Sequence, residues 1–235
     1  GILFSLDIKG NLLGQKKYGR EWHVNYTGTR STPVVKGDLV YLESGWGVVF
    51  CFNKFSGDIV WSVDLLERFN AENIRWGMAE SLLLDNDKII CTPGGKKYNV
   101  AALNRYTGET IWTSKGFGEP AAYCSPVLIK HNGARLIVTM TATSVIGIDA
   151  ETGEFLWREE QQQGNKIHAN SPVYYKGIIY CSSASAKNND GLLALKLSND
   201  GRDVEQWWRN EEYTNLMGGI VIIDDFIYGS KYRSN

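Results

Sequence analysis

Short apolar runs, each broken by Gly, Asn or Asp before it can grow into a helix, follow one another from end to end of this chain. Leu39-Val40-Tyr41-Leu42, Lys88-Ile89-Ile90-Cys91, Leu136-Ile137-Val138-Thr139 and Ile178-Ile179-Tyr180-Cys181 are β-branched and aromatic stretches of strand length. Each follows a shorter run across a tight turn: Thr32-Pro33-Val34-Val35, Glu80-Ser81-Leu82-Leu83, Ser125-Pro126-Val127-Leu128 and Ser171-Pro172-Val173-Tyr174. Pro is tolerated at the first residue of a strand, where the missing N–H need not join the ladder. Leu65-Leu66-Glu67-Arg68-Phe69 is the best helical candidate, and a minor one.

The runs repeat. Cys51-Phe52-Asn53 leads through Gly57 to Trp61, Ala102-Leu103-Asn104 through Gly108 to Trp112, and Gly147-Ile148-Asp149 through Gly153 to Trp157. A fourth copy runs from Ala194-Leu195-Lys196 through Gly201 to Trp207, stretched in its turn. A degenerate copy opens the chain at Ser5-Leu6-Asp7, with Gly10 in the turn and Gly14 where Trp would stand. The copies recur every ~50 residues, the period of propeller blades. Two hairpins per repeat make one antiparallel four-stranded sheet. The expectation is therefore all-β: a β-propeller of four-stranded antiparallel blades, about five in this chain, forming one domain over 1–235. Partial blades are expected at 1–22 and 217–235, and complete ones at about 30–66, 79–115, 124–160 and 170–210. Trp61, Trp112, Trp157 and Trp207 are expected to pack between blades, with the small residue opening each copy leaving room for the ring.

The pattern small-x-Asp/Asn-x-x-Thr-Gly-x-x-x-Trp resembles the tryptophan-docking signature of the pyrroloquinoline-quinone (PQQ) repeat. The chain resembles the PQQ-like β-propeller superfamily over essentially its whole length. That group holds quinoprotein alcohol dehydrogenases, the lipoprotein of the outer-membrane β-barrel assembly machine and secreted bacterial propellers of unassigned role. Trp76-Gly77-Met78-Ala79-Glu80-Ser81, Cys91-Thr92-Pro93-Gly94-Gly95 and Tyr123-Cys124-Ser125-Pro126 are most similar to the last. The resemblance implies a seven- or eight-bladed ring of which this is a window. The alternative is a ring of five, closed by the first and last half-blades.

Function is less legible, because one fold hosts many activities. The family's dehydrogenases carry a disulfide between adjacent cysteines stacked on PQQ, and a calcium ion held by Glu, Asn and Asp. Cys51, Cys91, Cys124 and Cys181 are nowhere adjacent, and no acidic residue matches that calcium set. Cys91 and Cys181 occupy like positions in second strands and read as small buried hydrophobes. The cysteines also lack zinc spacing. His131, before the turn signal Asn132-Gly133, is expected in solvent. Blade phase offers the one candidate site. The loops before each first strand fall at one height near the channel mouth, and they carry Arg30, Trp76, Glu80, Tyr123, His168 and Asn170. The structural alternative pairs Arg30 with Glu80 and leaves Tyr123 and His168 capping strand ends.

Composition narrows the partners. The 235 residues carry a net charge of -1 with 25 Lys+Arg against 26 Asp+Glu, not the basic excess of a broad nucleic-acid surface. No apolar run approaches bilayer-spanning length. The reading is a non-catalytic binding or scaffold module without a cofactor, engaging a protein, peptide or glycan. Its cell-envelope location, periplasmic or secreted, is implied by the resemblance alone. A PQQ- and calcium-dependent alcohol or sugar dehydrogenase is the alternative.

Overall fold

The computed structural model describes residues 1–161, 167–183 and 191–231. The last four residues of the second half-blade therefore lie outside the described residues. The described residues are all-β apart from one short helix, α1 (Leu65–Phe69), the segment with the strongest helical pattern. The Asp64 side chain caps α1 by accepting from the Glu67 amide, and Asn70 ends it in the left-handed region.

Strands form six antiparallel sheets in strict sequence order. The first is a hairpin, β1 (Ile2–Leu6) with β2 (Leu12–Lys17). Four complete blades follow. Blade 1 is β3 (Val34–Lys36), β4 (Leu39–Glu43), β5 (Val48–Asn53) and β6 (Ile59–Asp64). Blade 2 is β7 (Leu83–Asp85), β8 (Lys88–Cys91), β9 (Tyr98–Asn104) and β10 (Thr110–Lys115). Blade 3 is β11 (Val127–His131), β12 (Ala134–Met140), β13 (Ser144–Asp149) and β14 (Phe155–Glu160). Blade 4 is β15 (Val173–Tyr175), β16 (Ile178–Ser183), β17 (Gly191–Leu197) and β18 (Val204–Asn210). A final hairpin joins β19 (Ile220–Ile223) to β20 (Phe226–Gly229). Among the described residues the two terminal hairpins are separate two-stranded sheets, unpaired with each other.

Middle strands are the most buried because neighbouring sheets cover both their faces. β8 is buried along its whole length, while outer β10 alternates with solvent. The core is accordingly a series of seams. Tyr41, Cys51, Ile89 and Leu103 fill the seam of blades 1 and 2; Ile90, Ala102, Ile137 and Ile148 that of blades 2 and 3; Val138, Ile179 and Leu195 that of blades 3 and 4.

The repeated motif builds these seams. Asn53, Asn104 and Asp149 each accept two backbone amides of their own turn through one side-chain oxygen. The turn then closes on a glycine with positive φ. A Cβ at Gly108 or Gly153 would fall 2.8 or 2.5 Å from the indole of the preceding blade's Trp61 or Trp112, so glycine is required twice over. The Trp61 indole donates to the Arg105 carbonyl at 3.1 Å and that of Trp157 to the Gly201 carbonyl at 3.2 Å. In blade 3 the small opening residue leaves room for the ring: a Cβ on Gly147 would lie 2.0 Å from Trp157.

Two expectations need correction. Trp207 is not a seam residue; it is 55% exposed, and Trp208 stands opposite Ala194 as Trp61 stands opposite Cys51. Every blade has a bulge at this point, and Trp207 takes the bulged position of Val60, Ile111 and Leu156. The stretched turn displaces the count by one. His131 is buried rather than solvated. Its ring bridges blades 3 and 4, bonding the Tyr174 hydroxyl at 2.9 Å and the Ser198 carbonyl at 3.0 Å. Cys51, Cys91, Cys124 and Cys181 are free and buried.

Candidate functional site

Turns between strands 1–2 and 3–4 of each blade crowd one face of the propeller. The other, the connection face, carries the 2–3 loops and the crossings to the next blade, and every sequence-predicted site residue belongs to it. A hydroxyl ladder fixes the height of these crossings. The amide of Thr32 donates to Ser81 Oγ at 3.0 Å, that of Ser81 to Ser125 Oγ at 2.8 Å, and that of Ser125 to Ser171 Oγ at 3.0 Å. The starts of blades 1, 2 and 3 are thus each latched to the next blade.

Arg30, Trp76 and Tyr123 converge. The Trp76 amide donates to the Tyr123 hydroxyl at 3.3 Å, and their rings lie 5.8 Å apart. Arg75, absent from the sequence-predicted set, places its guanidinium 4.9 Å from the Trp76 ring centroid. Burial raises the Tyr123 phenol above its ordinary range, and the nearby charges of Arg75 and Arg30 work against it. Arg30 is held by the carbonyls of Tyr26 (2.7 Å), Gly28 (2.8 Å) and Asn25 (3.3 Å), and leans over Trp22. It does not pair with Glu80. Among the described residues neither Arg30 nor Arg75 meets a carboxylate.

The other three predicted residues are buried. Glu80 accepts the Thr92 amide at 2.6 Å, and its charge acts on the buried carboxyl of Glu43 of blade 1. Burial raises the Glu80 carboxyl to about 7, and burial together with the Glu80 charge holds the Glu43 carboxyl well above the ordinary carboxylate range. His168 is fully enclosed and held neutral, its value pushed down to about 4 by burial, while its carbonyl accepts the Tyr123 amide at 3.0 Å. Asn170 divides its amide among Ser182 Oγ (3.1 Å), the Asn215 carbonyl (2.9 Å) and Asn215 Oδ1 (3.0 Å), and its Oδ1 accepts the Gly219 amide at 2.9 Å. It ties the final hairpin to blade 4.

Beside Tyr123 opens a cleft of about 390 Å³, within the range of small-ligand sites. Glu72, Ile74, Arg75, Lys96, Pro120 and Tyr123 contribute to its lining. Arg75, Lys96 and Glu43 belong to the site although no motif marks them; only their place in a connecting loop or at a strand end could have pointed to them.

The residues present do not fit the quinone and calcium site of the family's dehydrogenases. The four cysteines are dispersed over separate strands and loops, and among the described residues no group of three His, Cys, Asp or Glu gathers to hold a metal. Among the described residues no helix is long and apolar enough to cross a membrane.

Comparison with known proteins bears on both readings. A family profile described as outer membrane protein assembly factor BamB matches residues 4–235. The chain is 29% identical over 153 residues to outer membrane protein assembly factor BamB of Francisella salina, covering 63% of this chain and 27% of that protein. It is 28% identical over 167 residues to quinohemoprotein alcohol dehydrogenase of Comamonas testosteroni, covering 63% of this chain and 22% of the relative. The crystal structure of BamB from Moraxella catarrhalis superposes with a TM-score of 0.70 at 18% identity, covering 98% of this chain and 65% of that one. The chain thus spans less than half the length of the curated relatives it matches.

Proposed function

This chain belongs to the outer membrane protein assembly factor BamB family, and from that premise we propose that it is a non-catalytic binding module of the cell envelope. It would hold a protein partner against its connection face, within the assembly of outer-membrane proteins that the relatives' names describe. One observation carries this reading: Arg30, Arg75, Trp76 and Tyr123 gather on one face, with both guanidinium groups free of carboxylate partners among the described residues. Aromatic rings and arginines are what protein interfaces enrich at their energetic centres. The ladder of serine latches and the Trp seams beneath supply a rigid base, so little ordering would be needed on binding. The periplasmic side of the envelope is the location this reading requires.

The test is direct binding of the purified chain to a purified outer-membrane β-barrel assembly complex by biolayer interferometry. Saturable binding is expected; its absence over the accessible concentration range would remove the scaffold reading. The dehydrogenase relative makes a second measurement worthwhile. Titration with PQQ in the presence of calcium, followed by tryptophan fluorescence, is expected to show no saturable quenching. Saturable quenching would restore the enzyme reading.

A further inference from the structure

We infer that Glu43, Glu80 and the Thr92 hydroxyl form a buried site for one Ca²⁺ ion, clamped between blades 1 and 2 beneath the connection face. The site goes beyond the binding-module reading and does not depend on it.

Unpartnered oxygen is the first ground. Glu43 closes β4 of blade 1, Glu80 stands in the crossing to blade 2, and Thr92 follows β8 of that blade. Glu43 lies two residues after Tyr41, so an extended strand turns both to one side, toward the seam of blades 1 and 2. Both Glu43 carboxylate oxygens, Oε2 of Glu80 and the Thr92 hydroxyl are buried without a hydrogen-bond partner among the described residues. The three residues are only 2 to 3% exposed. The Thr92 amide donates to Oε1 of Glu80 at 2.6 Å, which sets the hydroxyl of the same residue beside that carboxylate. The charges that act on Glu43 are those of Glu80 and Glu21, both negative. Among the described residues no lysine or arginine pairs with Glu43 or Glu80. Buried carboxylates without donors or a counter-charge are costly. A proton joins only two of these four oxygens, whereas one cation draws on all of them.

The second ground is donor chemistry. All four atoms are oxygens, which suit a hard cation, and two carboxylates balance a divalent one. Mg²⁺ gives up its water reluctantly, whereas Ca²⁺ accepts irregular sets of carboxylate and neutral oxygens. The neighbouring Cys91 thiol is turned to the Ala101 carbonyl at 3.5 Å, which leaves sulfur out of the set. The cluster falls short of three acids. Glu21, the next carboxylate, is already taken by the Tyr18 hydroxyl and the amides of Trp22 and Gly45. A hydroxyl therefore fills the third place, and the affinity expected is that of extracellular calcium modules, on the order of 10⁻⁴ to 10⁻³ M. The ion would close the connection-face end of a seam whose turn-face end is closed by Trp61. It would also fasten the crossing that carries Trp76.

The test strips the full chain with EDTA, then follows thermal unfolding by calorimetry and bound metal by equilibrium dialysis. CaCl₂ at about 10 mM should raise Tm by about 3 °C or more. Dialysis should find one Ca²⁺ per chain. MgCl₂ at the same concentration should give roughly half that rise or less, and NaCl at matched ionic strength none. Glu43→Gln should fold in EDTA as wild type does and lose both the rise and the bound ion. Should that variant fail to fold, Glu80→Gln takes its place with the same expectation. Thr92→Val removes one neutral oxygen and should weaken binding by about tenfold without abolishing it. Glu211→Gln, at an exposed acid, is the control and should change neither reading. No rise with CaCl₂, an equal rise with MgCl₂, or bound Ca²⁺ that survives the glutamine substitution overturns the inference.

Discussion

At the turn face, the three seams between complete blades close on one device, a Trp laid across the next blade's turn; at the connection face, no two crossings are furnished alike. Trp61, Trp112 and Trp157 meet the turn glycines Gly108, Gly153 and Gly201 at equivalent points. Around them each seam adds its own polar tie, Lys36 to the Asn86 carbonyl, Arg135 to Asp85 and His131 to Tyr174, and Lys176 to Asp225 ties blade 4 to the final hairpin. The crossings share only the serine ladder. Above it stand an arginine-bearing loop in blade 1, α1 and the Trp76 loop before blade 2, Tyr123 before blade 3 and buried His168 before blade 4. Repetition carries the scaffold, and departure from repetition carries the site.

The sharpest way to break this contrast is to remove one seam. Trp157→Ala should cost about 3 to 5 kcal/mol by urea unfolding, because a fully packed indole leaves a cavity that rigid sheets cannot fill. The first seam shows what replaces a missing Trp. Gly14 stands opposite Ser5 where the ring would be, and an exposed Lys16–Asp58 pair at 2.6 Å spans the gap. Lys16→Ala should therefore change stability by less than about 1 kcal/mol. A Trp157→Ala cost as small as that of Lys16→Ala would deny the Trp its structural role.

The contrast also explains what can be read from the sequence. Seam residues lie at fixed offsets within a single hairpin, so asparagine, glycine and tryptophan announce each other locally. Crossings differ in length, and only their last few residues keep phase. There a parity rule operates that composition hides. Arg30, Ala79, Tyr123 and Ala169 are equivalent, and all are partly exposed; the residues after them, Ser31, Glu80, Cys124 and Asn170, turn toward the second strand of their own blade. A one-residue step in an extended segment reverses the side chain. Treating all polar groups near the strand start as one ring mixes the two rows. It selects Arg30 and Tyr123, which reach the mouth, together with Glu80 and Asn170, which do not. Arg75 lies outside the phased stretch, so nothing local marks it.

Buried ionisable groups under the connection face give a smaller effect, with a definite sign. Glu80 has its carboxyl raised from 4.5 to about 7, so the native state binds more protons than the unfolded chain between those values. Its contribution to stability is therefore lost as pH rises through about 7. His168 is lowered from 6.5 to about 4, so there the unfolded chain binds more protons and stability is lost as pH falls through that window. The two slopes oppose each other below about pH 6.5 and only the Glu80 loss remains above it. Unfolding free energy should be nearly flat between about pH 4.5 and 6.5 and decline above that by about 0.7 kcal/mol from Glu80. Glu80→Gln should remove the alkaline decline and expose the acid loss; His168→Gln should do the reverse. A profile unchanged by either substitution would mean the pair is solvated and the connection face is not sealed.

The smallest effect decides the register of the stretched fourth copy. Trp207 projects from the bulge and is 55% exposed, whereas Trp208 faces Ala194 and packs beside Tyr180 at 5.9 Å between ring centroids. It shares a cluster around Tyr180, Leu192 and Ala194 with Ile220, Ile222 and Ile227 of the final hairpin. Trp207→Ala should shift stability by no more than about 0.5 kcal/mol, as exposed positions do. Trp208→Ala should cost about 1 to 3 kcal/mol, less than Trp157→Ala because no third and fourth strands of a next blade roof the ring among the described residues. The comparison is free of fold-wide effects, since both rings sit on one strand. A larger cost at Trp207 would place the bulge one residue earlier and restore the spacing that the uninterrupted copies suggest. A larger cost at Trp208 makes the bulge, rather than the count from glycine, the fixed point of the repeat.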